Sequence, residues 1–212
     1  MKGGINMENF LSLSEEKQHY ILSAAFYCFG KMGYRKASVA DIAEKAGISK
    51  AMVFHYFGSK KNLYLYLLHT ACDLMEKAIT ENINIKEKDF FKYMIADIKS
   101  KEKVVGVYPS ILQFLSSAIR EDDAEIVEDI IDIKKRGIEF HAKYCLTDMD
   151  LSKFKESVNP NLVFDLITSY MENLTMSIAQ DEDADISQLF IKAFECIEML
   201  KYNFYKPEYL EV

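Results

Sequence analysis

The 212-residue chain is half hydrophobic and 28% charged, with a formal charge of −7, the balance of a soluble protein with a sizeable core. No apolar run approaches the ~20 residues of a membrane span, and the opening "MKGGINMENF" lacks the apolar stretch of a signal peptide. These features exclude membrane-spanning and secreted classes and predict a soluble, cytoplasmic protein.

Three prolines and eight glycines in so long a chain predict helices joined by short connections. Between Ser12 and Met32 the positions Ile21, Ala24, Ala25, Cys28, Phe29 and Met32 recur at helical spacing, with Ser12 or Ser14 to cap the start and Gly33 to end the run. In "SVADIAEKAG", Ser38 and Asp41 have capping-box spacing and Gly47 closes a helix of barely two turns. Ser49 caps "KAMVFHYF", a second very short helix stopped at Gly58, and Ser59 opens a long amphipathic helix. Two helices this short cannot each bury a core, so they are expected to form a helix-turn-helix clamped between longer neighbours.

Five more helices are predicted at roughly 87–105, 109–120, 123–146, 160–181 and 186–205, punctuated by "VYPS", "REDD", "VNPN" and Asp185. No segment alternates with period two. The expected fold is all-α with about nine helices: a three-helix head containing the helix-turn-helix (1–62) followed by a helical body (63–212). In the last two helices, one stripe contains Leu166, Tyr170 and Leu174, and the other Phe190, Phe194 and Ile197. Each stripe reads equally as internal core or as a dimer interface.

Four scattered cysteines, with no C-x-x-C pair, read as reduced and mostly buried thiols, and the four histidines lack metal-ligand spacing. No metal and no cofactor is expected.

Charge divides the chain. Residues 1–61 hold nine Lys/Arg against five Asp/Glu, and the remainder holds 17 against 28. The basic head includes "GISKAMVFHYFGSKKNL", in which three aromatics and a histidine sit among three lysines. On the second short helix Lys50, Ala51, Met52, Phe54, His55 and Tyr56 are expected near the outward side, with Val53 and Phe57 inward. Lysines and helix N–H groups suit phosphate, His55 and Tyr56 suit phosphates or base edges, and the Ala51 and Met52 carbons suit a thymine methyl. Lys60 and Lys61 can reach the backbone. Local potential decides such an encounter, because the Debye length is ~8 Å at physiological salt.

From Ser14 to about Leu68 the chain resembles the DNA-binding domain of the tetracycline-repressor (TetR) family. The match rests on Phe29, Gly33, Tyr34, Ser38, Ile42, Ala43, Ala46, Gly47, Ser49, Tyr56, Phe57, Lys60 and Leu63. The resemblance implies a homodimer on a palindromic double-stranded DNA operator, with a small effector bound in the body. It places Ser38 at a helix cap and a phosphate, and Lys50, Ala51 and Met52 at base edges behind the Ser49 cap. His55 and Tyr56 are assigned to groove and phosphate contacts, and Lys60 to the backbone. Many members carry tyrosine where this chain has Phe54, so a hydroxyl contact to phosphate is lost there.

The candidate effector pocket comprises Tyr93, Phe114, His141, Tyr144, Phe164 and Met171, a set that suits an apolar or aromatic ligand, although core packing explains the same residues. One alternative keeps DNA binding and makes the body a protein-interaction surface. Another is an all-helical enzyme using His141 and Cys145, one helical turn apart, but no third orienting group accompanies that pair. Replacing Lys60 by alanine is expected to flatten the log–log salt dependence of DNA binding by ~1 per subunit. Anisotropy titrations across salt concentrations measure this, and an unchanged slope rejects the phosphate role.

Overall fold

The computed structural model describes residues 7–82, 88–145, 149–179 and 185–210. Ten α-helices follow one another among them: α1 (Met7–Leu11), α2 (Glu15–Lys36), α3 (Val39–Lys45), α4 (Lys50–Phe57), α5 (Lys60–Asn82), α6 (Phe90–Val107), α7 (Ile111–Ile119), α8 (Val127–Cys145), α9 (Pro160–Ala179) and α10 (Ser187–Phe204). Short 3-10 turns occupy Leu151–Lys153 and Pro207–Tyr209. The only β-type pairing among the described residues is an isolated bridge between Phe154 and Tyr205. The all-α expectation holds, with α1 added to the helices read from the sequence.

Helix starts follow local capping chemistry. Side-chain oxygens of Ser14, Ser38 and Ser49 accept the N–H groups of Lys17, Ala40 and Met52. Asn159 accepts from Asn161 N–H ahead of α9, and Asp185 from Ser187 N–H at the start of α10. Ahead of α8 the accepting side chain is Asp123, the last residue of "REDD", which takes the Glu125 N–H at 3.0 Å.

The chain packs as two compact units. One comprises Met1–Asp73 with Val107–Lys135, the other Leu74–Gly106 with Arg136–Val212. Helices α5 and α8 contribute residues to both. The packing units differ from the expected 1–62/63–212 division: they follow tertiary contact and place α7 with the N-terminal helices.

In the first unit α2 lies along α7. Gly30 permits their close approach: a Cβ there would stand 3.0 Å from the Phe114 amide nitrogen and 3.3 Å from the Gln113 carbonyl carbon. Phe114 is fully buried, with ring centroids 5.3 Å from those of both Phe26 and Tyr64. Burying a side chain of this size contributes ~1.5–3 kcal/mol.

In the second unit an aromatic cluster of Phe90, Phe91, Phe154 and Tyr205 joins the start of α6 to the 151–154 turn and the end of α10. Beside it the buried Asp89 carboxylate accepts from Lys153 at 2.7 Å, from the Lys92 N–H at 3.0 Å and from the Tyr205 hydroxyl at 3.2 Å. Burial alone would raise the Asp89 pKa, but these donors hold it below the ordinary carboxylate range. Because the native pKa is depressed, the stabilisation is present above the unfolded carboxylate pKa and is lost as pH falls through the native value. Asp89→Asn should therefore cost ~1–3 kcal/mol at pH 7, and the penalty should shrink in acid; urea denaturation at both pH values measures it.

Candidate nucleic-acid interface

Helices α3 and α4 pack together across a turn in which Gly47 has φ 68°, and the Ile48 N–H donates to the Ala43 carbonyl at 3.0 Å. Ile42, Ala43, Val53 and Phe57 are buried between the elements of the head. Gly58, with φ 74°, ends α4 by donating its N–H to the Phe54 carbonyl. Ser59 then accepts the Asn62 N–H and starts α5.

Lys50, Ala51, Met52, Phe54 and His55 are exposed on α4, as the sequence predicts. Met52 and Phe54 are 37% and 40% exposed, so the face offers apolar atoms to a groove beside the cation of Lys50. The Lys50 ammonium lies 5.9 Å from the Phe54 ring centroid. Ser49 is exposed and Ser38 half-buried, each with its side-chain oxygen engaged in a cap.

Tyr56 departs from the expected outward placement. It is only 5% exposed, because α1 covers it: Phe10, fully buried, sits edge-on to Tyr56 at 6.0 Å and lies 5.0 Å from Phe57. From the same short helix Asn9 bonds the His55 ring nitrogen Nε2 at 2.9 Å. With the Asn9 amide as donor, Nε2 is the acceptor and His55 carries its proton on Nδ1. Thus α1 braces α4 and orients one of its exposed side chains. Five residues show no helical period, so α1 was not read from the sequence; the only trace it leaves there is the apolar pair Phe10 and Leu11 ahead of the Ser14 cap.

The two lysines at the start of α5 have partners within the head. The Lys60 ammonium donates to the Arg35 carbonyl at 3.2 Å and sits 4.7 Å from the Tyr34 ring centroid. Lys61 donates to the Glu125 carbonyl at 2.6 Å and pairs with Asp129 at 3.1 Å. Arg35 pairs with Asp123 at 3.3 Å. Acidic residues ahead of and within α8 therefore neutralise part of the basic head.

At the end of α2, Gly33 has φ 71° and turns the chain. There the Tyr34 N–H donates to Glu121 at 2.8 Å, and the Tyr34 hydroxyl donates to Glu125 at 2.5 Å. Burial first, then that hydrogen bond to a carboxylate, pushes the Tyr34 phenol well above its ordinary pKa.

The residues of the expected effector set fall in both units. Phe114 belongs to the core of the first unit, whereas Tyr93, Phe164 and Met171 belong to the second, where Tyr93 is buried and the other two are half-buried. The side chains of His141, Tyr144 and Cys145 lie outside the described residues. Of the expected interface set, Leu174, Phe190 and Ile197 are buried and Phe194 is half-buried, so they serve the core of their own unit. Leu166 and Tyr170 are exposed at 51% and 40%. Exposed Leu162 extends their stripe on α9, and Ile191, Met199 and Tyr202 form a second apolar face on α10.

Among the described residues no group of His, Cys, Asp and Glu could hold a metal ion, and no helix is long and apolar enough to cross a membrane.

Residues 21–67 match the family model of bacterial regulatory proteins, tetR family. Over 62 residues the chain is 39% identical to the HTH-type transcriptional repressor AcnR of Corynebacterium glutamicum, a match covering 29% of this chain and 33% of that protein. The aligned regions span about a third of the length of such curated relatives. Among solved structures, a TetR family transcriptional regulator from Chloroflexus aurantiacus J-10-FL superposes with a TM-score of 0.64 at 17% identity, covering 94% of this chain and 98% of that one. FadR of Bacillus subtilis, solved in complex with stearoyl-CoA, superposes with a TM-score of 0.65 at 18% identity, covering 85% of this chain and 96% of the other. At these identities the structural likeness establishes the fold.

Replacing Phe10 with alanine should cost ~3–5 kcal/mol and uncover Tyr56. Chemical denaturation reads the first effect, and near-ultraviolet circular dichroism the second.

Proposed function

We propose that this chain, whose residues 21–67 match the family model of bacterial regulatory proteins, tetR family, is a sequence-specific DNA-binding transcriptional repressor that acts as a homodimer on a palindromic operator and responds to a small effector. In this reading residues 1–62 read DNA, and residues 63–212 dimerise and bind the effector. The observation that carries it is the exposed face of Lys50, Ala51, Met52, Phe54 and His55 on a short helix whose opposite side is locked into the head.

The α4 face enters the major groove, with Lys50, Ala51 and Met52 at base edges and His55 at the groove wall. Ser38 and Ser49 keep hydroxyl protons that can donate to phosphate while their oxygens cap helices. Tyr56 supports α4 from inside, packed against Phe10. Lys60 serves a phosphate from a position already anchored on Arg35.

Two copies must hold their reading helices about one DNA turn apart, ~34–36 Å. The exposed faces of α9 (Leu162, Leu166, Tyr170) and α10 (Ile191, Met199, Tyr202) support pairing of the second unit with its copy. The effector is apolar or aromatic and lies in the second unit beside Tyr93, Phe164 and Met171. The structurally similar FadR of Bacillus subtilis was solved in complex with stearoyl-CoA, a ligand of which the acyl chain alone is apolar. Its signal travels along α5 and α8, whose residues belong to both units. Coupling of 1–3 kcal/mol is typical of such devices.

Selection from a random duplex library followed by sequencing tests the DNA reading. A palindrome should emerge with the intact chain and be weakened or altered by Lys50→Ala and by His55→Ala; no enrichment at moderate salt overturns the proposal. For dimerisation, Leu166→Arg should convert the dimer to monomer in analytical ultracentrifugation and weaken operator binding at least tenfold.

A further inference from the structure

The first unit carries a cleft of about 300 Å³ that the DNA-reading face does not use. Tyr20, Phe26 and Tyr27 of α2 line it, together with Lys45 at the end of α3 and with Tyr108 and Ser110 ahead of α7. Its volume stands at the lower end of small-molecule sites, enough for a ligand of one or two rings.

The wall is aromatic and partly open to water. Tyr20 and Tyr27 are 58% and 36% exposed, while Tyr108 is half-buried with its ring held by Phe26 at 5.5 Å and by His19 at 4.9 Å. Fixed aromatic faces of this kind favour a flat π-system. Lys45 is the only charged residue among the described residues that line the cleft. Its ammonium lies 3.8 Å from the Tyr27 ring centroid, a cation held on a π-face. An incoming carboxylate could take that ammonium in a charge-assisted hydrogen bond, leaving the Tyr27 face to the ligand's own ring. The Ser110 hydroxyl supplies a second donor at the mouth. A cationic ligand would meet Lys45 with like charge, and an aliphatic acid would leave the tyrosine faces unstacked.

We propose that this cleft binds a planar aromatic carboxylate, its ring on the Tyr27 and Tyr108 faces and its carboxylate on Lys45. The site lies on the reading head and is distinct from the effector site placed in the second unit. Because Lys45 ends the first helix of the helix-turn-helix and Ser110 precedes α7, an occupant ties these two elements of the first unit to α2. It thereby changes operator affinity.

The test titrates the full chain with 2-naphthoate, followed by calorimetry and ligand fluorescence. The protein contains no tryptophan, so the ligand signal is read without interference from that residue. Submillimolar binding is expected, weakened at least tenfold by Lys45→Gln and by Tyr27→Leu, with unchanged far-ultraviolet circular dichroism confirming that both variants fold. Cyclohexanecarboxylate and 2-naphthylmethylamine should each bind at least tenfold more weakly than 2-naphthoate. Absence of binding at millimolar concentration overturns the proposal. So does affinity that survives in both variants, which would place the ligand elsewhere, or equal binding of the amine. Operator binding by the ligand-free chain, measured on the same samples, tests the regulator reading separately, so either proposal can fail while the other stands.

Discussion

The head depends on how Tyr34 is held. Two carboxylates from the segment after α7 fix it at opposite ends, Glu121 at its backbone N–H and Glu125 at its hydroxyl. Gly33 makes this geometry attainable: its φ of 71° suits residues without a side chain, and a Cβ there would stand 3.2 Å from the Glu121 carboxylate. The turn sets where α2 stops and therefore where Ser38 starts α3. That start in turn positions α4 through the Gly47 turn. Lys60 lies over the same tyrosine ring and bonds the Arg35 carbonyl, so the start of α5 is referred to the same point. One buried side chain thus registers α2, α3, α5 and the approach to α8.

Those carboxylates also change how the charge distribution is understood. Along the sequence, a basic stretch precedes an acidic remainder. In the folded first unit, Asp123 pairs with Arg35 and Asp129 with Lys61, although some 70–90 positions separate each pair in sequence. The two lysines after Gly58 thus act partly as internal ties. On α4 itself Lys50 is the only lysine or arginine. A charge balance counted along the chain cannot reveal these ties, since it assigns acids to the part of the sequence where they occur rather than to the surface they join.

Features written in local chemistry were legible. Serine caps at 14, 38 and 49 and glycine stops at 47 and 58 lie within four residues of the bonds they make, and the helix-turn-helix followed from them. The spacing of Val53, Tyr56 and Phe57 is itself that of one buried helical face, and the structure obeys it for all three. Helix α1 was illegible because its reason is tertiary: five residues become helical where Phe10 can cover α4. The roles of the apolar stripes on α9 and α10 were equally hidden. Periodicity identifies a face but cannot say whether it meets its own unit, as at Ile197, or remains exposed, as at Leu166.

The contact at Gly30 bears on modularity. Main chain meets main chain there, and Phe114 fills the space between Phe26 and Tyr64, so α7 is structurally part of the head despite arriving some 50 residues after α4. A DNA-reading segment cut after the first turns of α5 would present Phe26, Phe29 and Tyr64 to water along an open seam. Exchange of reading heads between related chains must then carry α7 along, or match its backbone shape at the junction. The first unit is thus discontinuous in sequence: two stretches of chain, separated by the start of the second unit, fold as one body.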